Sequence, residues 1–342
     1  MSRALAVDLD HILKHTRPLW EELRGNRIFL AGGTGFFGCW LLESFTWANE
    51  RLKLNAKAVV LTRDGTRFRE KVPHLAGDPS VELLAGDVRD FAFPAGEFAH
   101  IIHAATDSAV IPSVTEVVDT IVRGTERCLA FAQQARCRKF LFTSSGAVYG
   151  RQPSDLTHIP EDYAGAPDPL NPSSAYGEAK RLAELRCALA STTDFEAKIA
   201  RCFAFVGPYM NLDVHFAIGN FLRDQMRGGP IVVKGDGTAV RSYLYASDLA
   251  IWLWTMLFQG QSNRAYNVGS ENEVSIGELA RTVASIGAPQ VEIRIEGQPT
   301  GARPARYVPS TQRAQRELGL AERVSLQKAI EKTRSWCLGK LP

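Results

Sequence analysis

Tyr176 and Lys180 stand four residues apart in SSAYGEAK, residues 173–180. On a helix that spacing puts both side chains on one face, one turn from each other. A phenol titrates near pH ~10, too high for a base at neutral pH. A neighbouring ammonium stabilises the phenolate and lowers that value. An ordinary helix start with a solvated lysine has the same spacing, so the pair needs a third group. TSSGAVYG, residues 143–150, supplies hydroxyls at Thr143, Ser144 and Ser145. A hydroxyl that holds a carbinol oxygen, a phenol that takes its proton and an ammonium that steadies the charge form a working acid–base set.

Those groups must be brought together by the elements that carry them. RIFLAG (27–32) reads as a short apolar strand, and AGGTGFFG (31–38) follows it into a helix over about 36–50. Gly32, Gly35 and Gly38 give the spacing G-x-x-G-x-x-G, with Thr34, Phe36 and Phe37 between them. Glycines permit the tight turn and the close approach of a pyrophosphate, and the helix N-terminus offers free N–H groups. A plain strand-to-helix turn is the alternative. Further strands are expected at 56–63, 81–87, 100–106, 139–145 and 196–207, with helices over about 113–135 and 174–190. Continuous apolar strands alternating with helices predict an α/β fold of the Rossmann type, a doubly wound parallel sheet. Ligands of such sheets bind at the carboxyl ends of the strands. Thr143, Ser144 and Ser145 end the fifth strand, so all three are expected to point at the cofactor. Asp87 and Val88 in AGDV, and Ala104, Ala105 and Thr106 in HAAT, end the third and fourth. Asp87 suits an adenine contact or a turn.

The second strand ends LTRDG, with Thr62 where an acid for the ribose 2′-OH would stand, then Arg63 and Asp64. An arginine there pairs with a 2′-phosphate, which leans the cofactor, NAD(P), toward NADP. Pointing into solvent or stacking on adenine are its alternatives.

The organisation read from the chain is an N-terminal helical extension over 1–25, broken near Pro18, a dinucleotide-binding domain over 26–207, and a substrate-binding region over 208–241 and 271–342. Residues of about 242–270 return to the first domain, and LAIWLWTMLF (249–258) reads as a buried helix. At 342 residues the chain has ample length for a large core. The net charge is +3 with no Lys/Arg block to argue for nucleic acid, so no nucleic-acid partner is expected, although single loop arginines could bind phosphates. The six cysteines form no C-x-x-C and no metal spacing, so no metal is expected. Buried free thiols fit a cytoplasmic protein. The charged N-terminus has no signal-peptide core, and Asp8, Asp10, Glu21 and Glu22 oppose a membrane role.

The glycine turn, AGDV, HAAT, SSGAVYG and YGEAK, in this order, resemble the extended short-chain dehydrogenase/reductases, and within them the NAD(P)-dependent nucleotide-sugar epimerase/dehydratase family. The resemblance covers about residues 26–340. It implies Ser145, Tyr176 and Lys180 as the catalytic set and a nucleotide-sugar substrate. Arg241, in GDGTAVRSYLYASDLA, resembles the arginine that holds the substrate diphosphate, and the loop with Arg303 and Arg306 resembles a second such position. Ser145 and Gly146 would also touch the sugar. A homodimer through the helices near 113–135 and 174–190 is implied as well.

The chain also departs from the family. Its 4,6-dehydratases carry Asp-Glu after the catalytic hydroxyl residue, and its decarboxylases keep a glutamate. Here Gly146 and Ala147 follow Ser145. Ile121 and Ala204 replace asparagines common in relatives; Asn220 or His215 could substitute, although His215 and His103 are better read as structural. Asp107 stands where it could approach the sugar. The resulting expectation is hydride transfer at sugar C4 with Tyr176 as base, by a 4-epimerase or a 4-ketoreductase. A 4,6-dehydratase or decarboxylase with atypical acids is the alternative. A dinucleotide-sensing scaffold is the non-enzymatic rival, disfavoured by an intact Ser/Tyr/Lys set.

Overall fold

Short Val-, Ile- and Leu-rich strands with burial on both faces dictate a covered parallel sheet. The computed structural model describes residues 5–105, 113–214, 216–287, 290–298 and 301–339. Its large sheet has seven strands: β1 (Arg27–Ala31), β2 (Lys57–Thr62), β3 (Val81–Ala85), β4 (His100–His103), β5 (Lys139–Ser145), β6 (Glu196–Cys202) and β7 (Ala265–Val268). All are parallel, in the order β7-β6-β5-β4-β1-β2-β3. The order reverses between β1 and β4, and the crevice at that reversal is the expected ligand site.

Two helical layers cover the sheet. On one face lie α2 (Phe36–Leu52) and α5 (Ala246–Gln259); on the other lie α3 (Val114–Gln134) and α4 (Ala175–Ala190). The apolar run LAIWLWTMLF falls within α5, which is buried from Ala246 to Phe258. It has no polar face because it has no free face: α1 (Ala6–Thr16) packs over it on the outside. Leu5, Leu9, Ile12 and Leu13 bury the apolar side of α1. Asp8 is buried with them and accepts from Lys332 Nζ at 2.7 Å and from the Tyr245 hydroxyl at 3.0 Å. A tight helical turn, Arg17–Leu23, follows, with Pro18 in its first turn.

The sixth strand is shorter than expected. It stops at Cys202, and Phe205–Val206 forms a separate two-residue pairing with Leu244–Tyr245. The reading 196–207 missed this because the apolar run continues across the break at Phe203 and Ala204. Beyond it, Val240–Arg241 pairs antiparallel with Val274–Ser275 and parallel with Arg306–Tyr307. Ile231–Val233 pairs with Ile293–Ile295. No described helix is long and apolar enough to cross a membrane.

The extension is thus part of the core. Ile12, 1% exposed, makes the test: Ile12→Ala should lower the unfolding free energy, by about 2–5 kcal/mol. The denaturant midpoint reads this directly, and an unchanged midpoint would mean that α1 is dispensable.

Candidate active site

The glycine turn is built by contacts that leave no room for side chains. Gly32 has φ +87°, and a Cβ there would lie 2.5 Å from the Ala104 carbonyl carbon. The turn after β1 therefore rests on the end of β4. A Cβ at Gly38 would lie 2.2 Å from the Gly33 carbonyl carbon, so the first turn of α2 closes onto the loop itself. At Gly35, the residue before α2, a Cβ would meet only the Gly32 oxygen at 3.6 Å. That side is open, and it faces the N–H groups of the helix start.

A cavity of about 520 Å³ opens here. Gly32, Thr34, Gly35, Ala104 and Ala105 line one part, and Thr62, Arg63, Asp87 and Val88 line another. The open glycine cradle fits a dinucleotide pyrophosphate, with the adenosine end toward Arg63 and Asp87. Phe36 and Phe37 do not line this cavity. Their rings pack together, and Phe37 meets Phe205 edge-on at 5.1 Å. Asp87 is already engaged: Arg89 donates to its two oxygens at 2.8 and 2.9 Å, and the guanidinium holds the carboxyl below its ordinary value. The turn reading of Asp87 thus has support beside the adenine one. Thr106, Asp107 and His215 lie outside the described residues.

The catalytic candidates converge at the carboxyl end of β5. Lys180 is buried on α4 and donates from Nζ to the Thr143 carbonyl oxygen at 2.7 Å. Its ammonium also sits 4.7 Å from the Phe142 ring centroid and 5.9 Å from that of Tyr176. One turn earlier stands Tyr176, close enough to Ser145 for that hydroxyl to draw the phenol down. Ser145 Oγ also accepts from the Ala147 N–H at 3.1 Å, and Thr143 Oγ1 donates to the His103 carbonyl at 3.3 Å.

Burial dominates the titration of this set. It pushes the Tyr176 phenol up to about 12, with nearby Ser145 acting against it. It pushes the Lys180 ammonium down to about 8. In the protein alone burial sets the phenol's titration. The resting phenol is protonated.

Ser144 does not face the cofactor cleft as expected. Strand alternation turns it to the other side, where it donates to Glu184 at 2.5 Å. Glu184 pairs with Arg201 at 2.7 Å, Arg201 donates to the Tyr149 hydroxyl at 2.9 Å, and Tyr149 donates to Asn267 at 2.8 Å. This network fastens α4 to β5, β6 and β7, and sequence reading missed it. His103 is buried and neutral, pushed down to about 3, and bonds Thr125 at 3.1 Å.

The proposed substrate residues separate. Arg241 donates to the Val240 and Ala305 carbonyls at 2.8 and 3.3 Å and stands opposite Tyr307 in the strand ladder. Arg306 departs from expectation: its guanidinium is taken up by Glu273 and the Thr157 carbonyl. Arg303 is exposed, 3.5 Å from Ser154 Oγ. Asn220 lies on the helix Ala217–Met226 and accepts from Arg223 at 3.2 Å. Gly146 stands beside Ser145, against Tyr307 and Phe203. Tyr307 itself went unnoticed in the sequence. Among the described residues no cluster of His, Cys, Asp or Glu could hold a metal ion.

The cradle generates a direct test. Gly32→Ala adds a methyl into the Ala104 carbonyl at a positive φ, a strain of about 1–3 kcal/mol. NAD binding measured by calorimetry should weaken by about tenfold or more, following that strain. Wild-type affinity would exclude this loop as the pyrophosphate seat.

The family model described as "NAD dependent epimerase/dehydratase family" matches residues 28–269. UDP-glucuronic acid decarboxylase 3 of Arabidopsis thaliana is 32% identical over 312 residues, 89% of this chain and 86% of the relative. A dTDP-glucose 4,6-dehydratase of Streptomyces venezuelae, solved with NAD bound, is 26% identical and superposes with a TM-score of 0.77 over 92% of this chain and 97% of its own. The UDP-glucose 4-epimerase of Thermotoga maritima, 19% identical, shares the fold with a TM-score of 0.76 over 92% of this chain and 100% of its own. With its glycine cradle, its strand order and most of its length matched, the chain belongs to the NAD-dependent epimerase/dehydratase family.

Proposed function

We propose that this enzyme oxidises C4 of a nucleoside-diphosphate uronic acid, lets the C6 carboxylate leave, and reduces C4 again. The observation that carries the C4 chemistry is the convergence of Ser145, Tyr176 and Lys180 at the end of β5. Similarity to UDP-glucuronic acid decarboxylases supports the choice of substrate. A nicotinamide dinucleotide held by the glycine cradle would supply the hydride acceptor. Ser145 holds O4 by a hydrogen bond, and Tyr176 takes its proton. Lys180 holds its geometry through the Thr143 carbonyl and provides the near positive charge.

A ketone at C4 makes C6 the carboxylate of a β-keto acid. The C5–C6 bond then breaks, CO₂ leaves, and its electron pair moves to O4 as an enolate. The hydroxyls of Tyr176 and Ser145 stabilise that oxygen. Water supplies the proton at C5, and Tyr176 returns a proton to O4 when C4 is reduced. No carboxylate at positions 146 or 147 is required. A 4,6-elimination requires one to protonate the departing C6 hydroxyl, and Gly146 and Ala147 offer none.

A second reading is a 4-epimerase. The absence of an acid at Gly146 and Ala147 favours it, because epimerisation needs only hydride return to the opposite face. The products separate the two: a UDP-pentose with CO₂, or a C4 epimer without it. On UDP-glucuronic acid we expect the former, and its absence with epimer present would overturn decarboxylation. In either case Tyr176→Phe should reduce kcat by roughly 10²–10⁴-fold, with NAD binding retained. Undiminished turnover would remove Tyr176 as the base.

We propose further that the adenosine end accepts a 2′-phosphate. Arg63, Arg67 and Lys71 line that part of the cavity, and Asp64 is occupied as a helix cap, accepting from the Arg67 N–H at 2.8 Å. Arg63→Ala should then weaken NADP binding by about tenfold, the loss of one charge-assisted contact, and leave NAD unchanged. Equal effects on both would refute the reading. A homodimer is supported by Leu182, Leu185 and Leu189, exposed on α4.

A further inference from the structure

Lys180 shares the buried face of α4 with an anion. Glu184 stands one turn further along, and residues at that spacing have Cβ atoms about 5–6 Å apart. Both are buried, and both reach adjacent residues of β5. Lys180 Nζ donates to the Thr143 carbonyl at 2.7 Å, and Ser144 Oγ donates to Glu184 at 2.5 Å. The Arg201 guanidinium grips both carboxylate oxygens, from Nε at 3.0 Å and from Nη2 at 2.7 Å. Its third nitrogen donates to the Tyr149 hydroxyl at 2.9 Å and to the Glu161 carbonyl at 3.3 Å. A carboxylate is thus fixed from two sides within one helical turn of the catalytic lysine.

A buried ion pair is often no more stabilising than apolar side chains of the same volume. Fastening α4 is therefore not a full account of this one. Lys180 serves the phenol only while it carries charge, and burial works against that charge. The ammonium is drawn down to about 8 even with Glu184 acting to raise it. The other groups facing it supply no negative charge. Cys187 on α4, Cys128 from α3 and Cys202 from β6 are thiols raised by burial, and the Tyr176 phenol is raised as well. His103 from β4 is buried and neutral. Without its anion, Lys180 would lose its proton close to neutral pH.

We infer that Glu184 is a positioning residue that acts through Lys180: its carboxylate keeps the ammonium charged at neutral pH, and Ser144 and Arg201 hold the carboxylate where it does so. The inference rests on the reading of Lys180 as the cation of the catalytic set.

The test reads Lys180 directly, by NMR of the full-length, NAD-loaded protein with isotope-labelled lysine Cε, the resonance being assigned by its loss in Lys180→Arg. Glu184→Gln keeps the size and the acceptor for Ser144 and removes the charge. The Lys180 midpoint should fall by about one pH unit. A working cation is lost as pH rises through its midpoint. The alkaline limb of the kcat–pH profile on UDP-glucuronic acid should therefore move down equally, with the rate on the acid side retained. Glu184→Asp keeps the charge and should restore most of the shift. Ser144→Ala loosens the tie but leaves both charges, and should leave the midpoint in place. An unchanged midpoint in Glu184→Gln would overturn the inference, as would an equal fall in Ser144→Ala, which would mark packing instead of charge. A rate lowered equally at every pH would overturn it too. If Glu184→Gln does not fold because Arg201 is left unpaired, Glu184→Gln with Arg201→Met leaves no orphaned charge. The midpoint should still fall there, and its constancy would refute the inference. An intact rate in Lys180→Met would instead remove the reading of Lys180 itself, whatever its midpoint.

Discussion

One buried ammonium organises the site. Lys180 lies in the interior between α4 and β5, where its ammonium bonds the Thr143 carbonyl. Removing an ammonium from water costs several kcal/mol unless it is well partnered. The Thr143 oxygen and the Phe142 face offset part of that cost, and burial still draws the lysine down to about 8. The contact fixes the distance between the helix and the last residues of the strand. Tyr176, one turn earlier on the same helix, is thereby set at Ser145, two residues further along β5.

The next turn of α4 makes a second buried contact with the same strand. Glu184 is four residues beyond Lys180 and accepts the hydrogen bond of the Ser144 hydroxyl. Successive residues of β5 thus engage successive turns of one helix: a backbone oxygen with a cation, then a hydroxyl with an anion. Arg201 and Tyr149 extend the anion's partners to β6 and β7. The helix can neither slide nor rotate without breaking one of these buried contacts. A preorganised site on rigid elements follows from this, since a small displacement of a phenol removes it from reach of its proton.

Much of this was legible in the sequence. The glycine turn, the alternating strands and the Tyr/Lys spacing have short-range signals: a special φ, a period, a helical repeat. Gly32 bears its φ of +87°, and α2 starts at Phe36 as read. What could not be read depends on distant partners. Nothing near Arg306 reveals that Glu273 neutralises it. Nothing in TSSG tells that Ser144 faces away while Ser145 faces inward, except the alternation of a strand whose exact end was unknown. Tyr307 was hidden because its place is set by a two-residue pairing with Val240–Arg241, too short to leave a pattern. Its trace was Gly146, which looked like a missing acid and is also the room for another residue's ring.

The contact between Asp8 and Lys332 spans 324 positions of the chain. Asp8 leaves the ribosome 324 residues before its partner does. The same holds for the apolar stripe of α1, whose cover, α5, begins at Ala246. During synthesis that stripe must stay in water, or on a chaperone, until α5 has been made. Of the described helices, α1 is made before α2 to α5 and is covered only when α5 arrives.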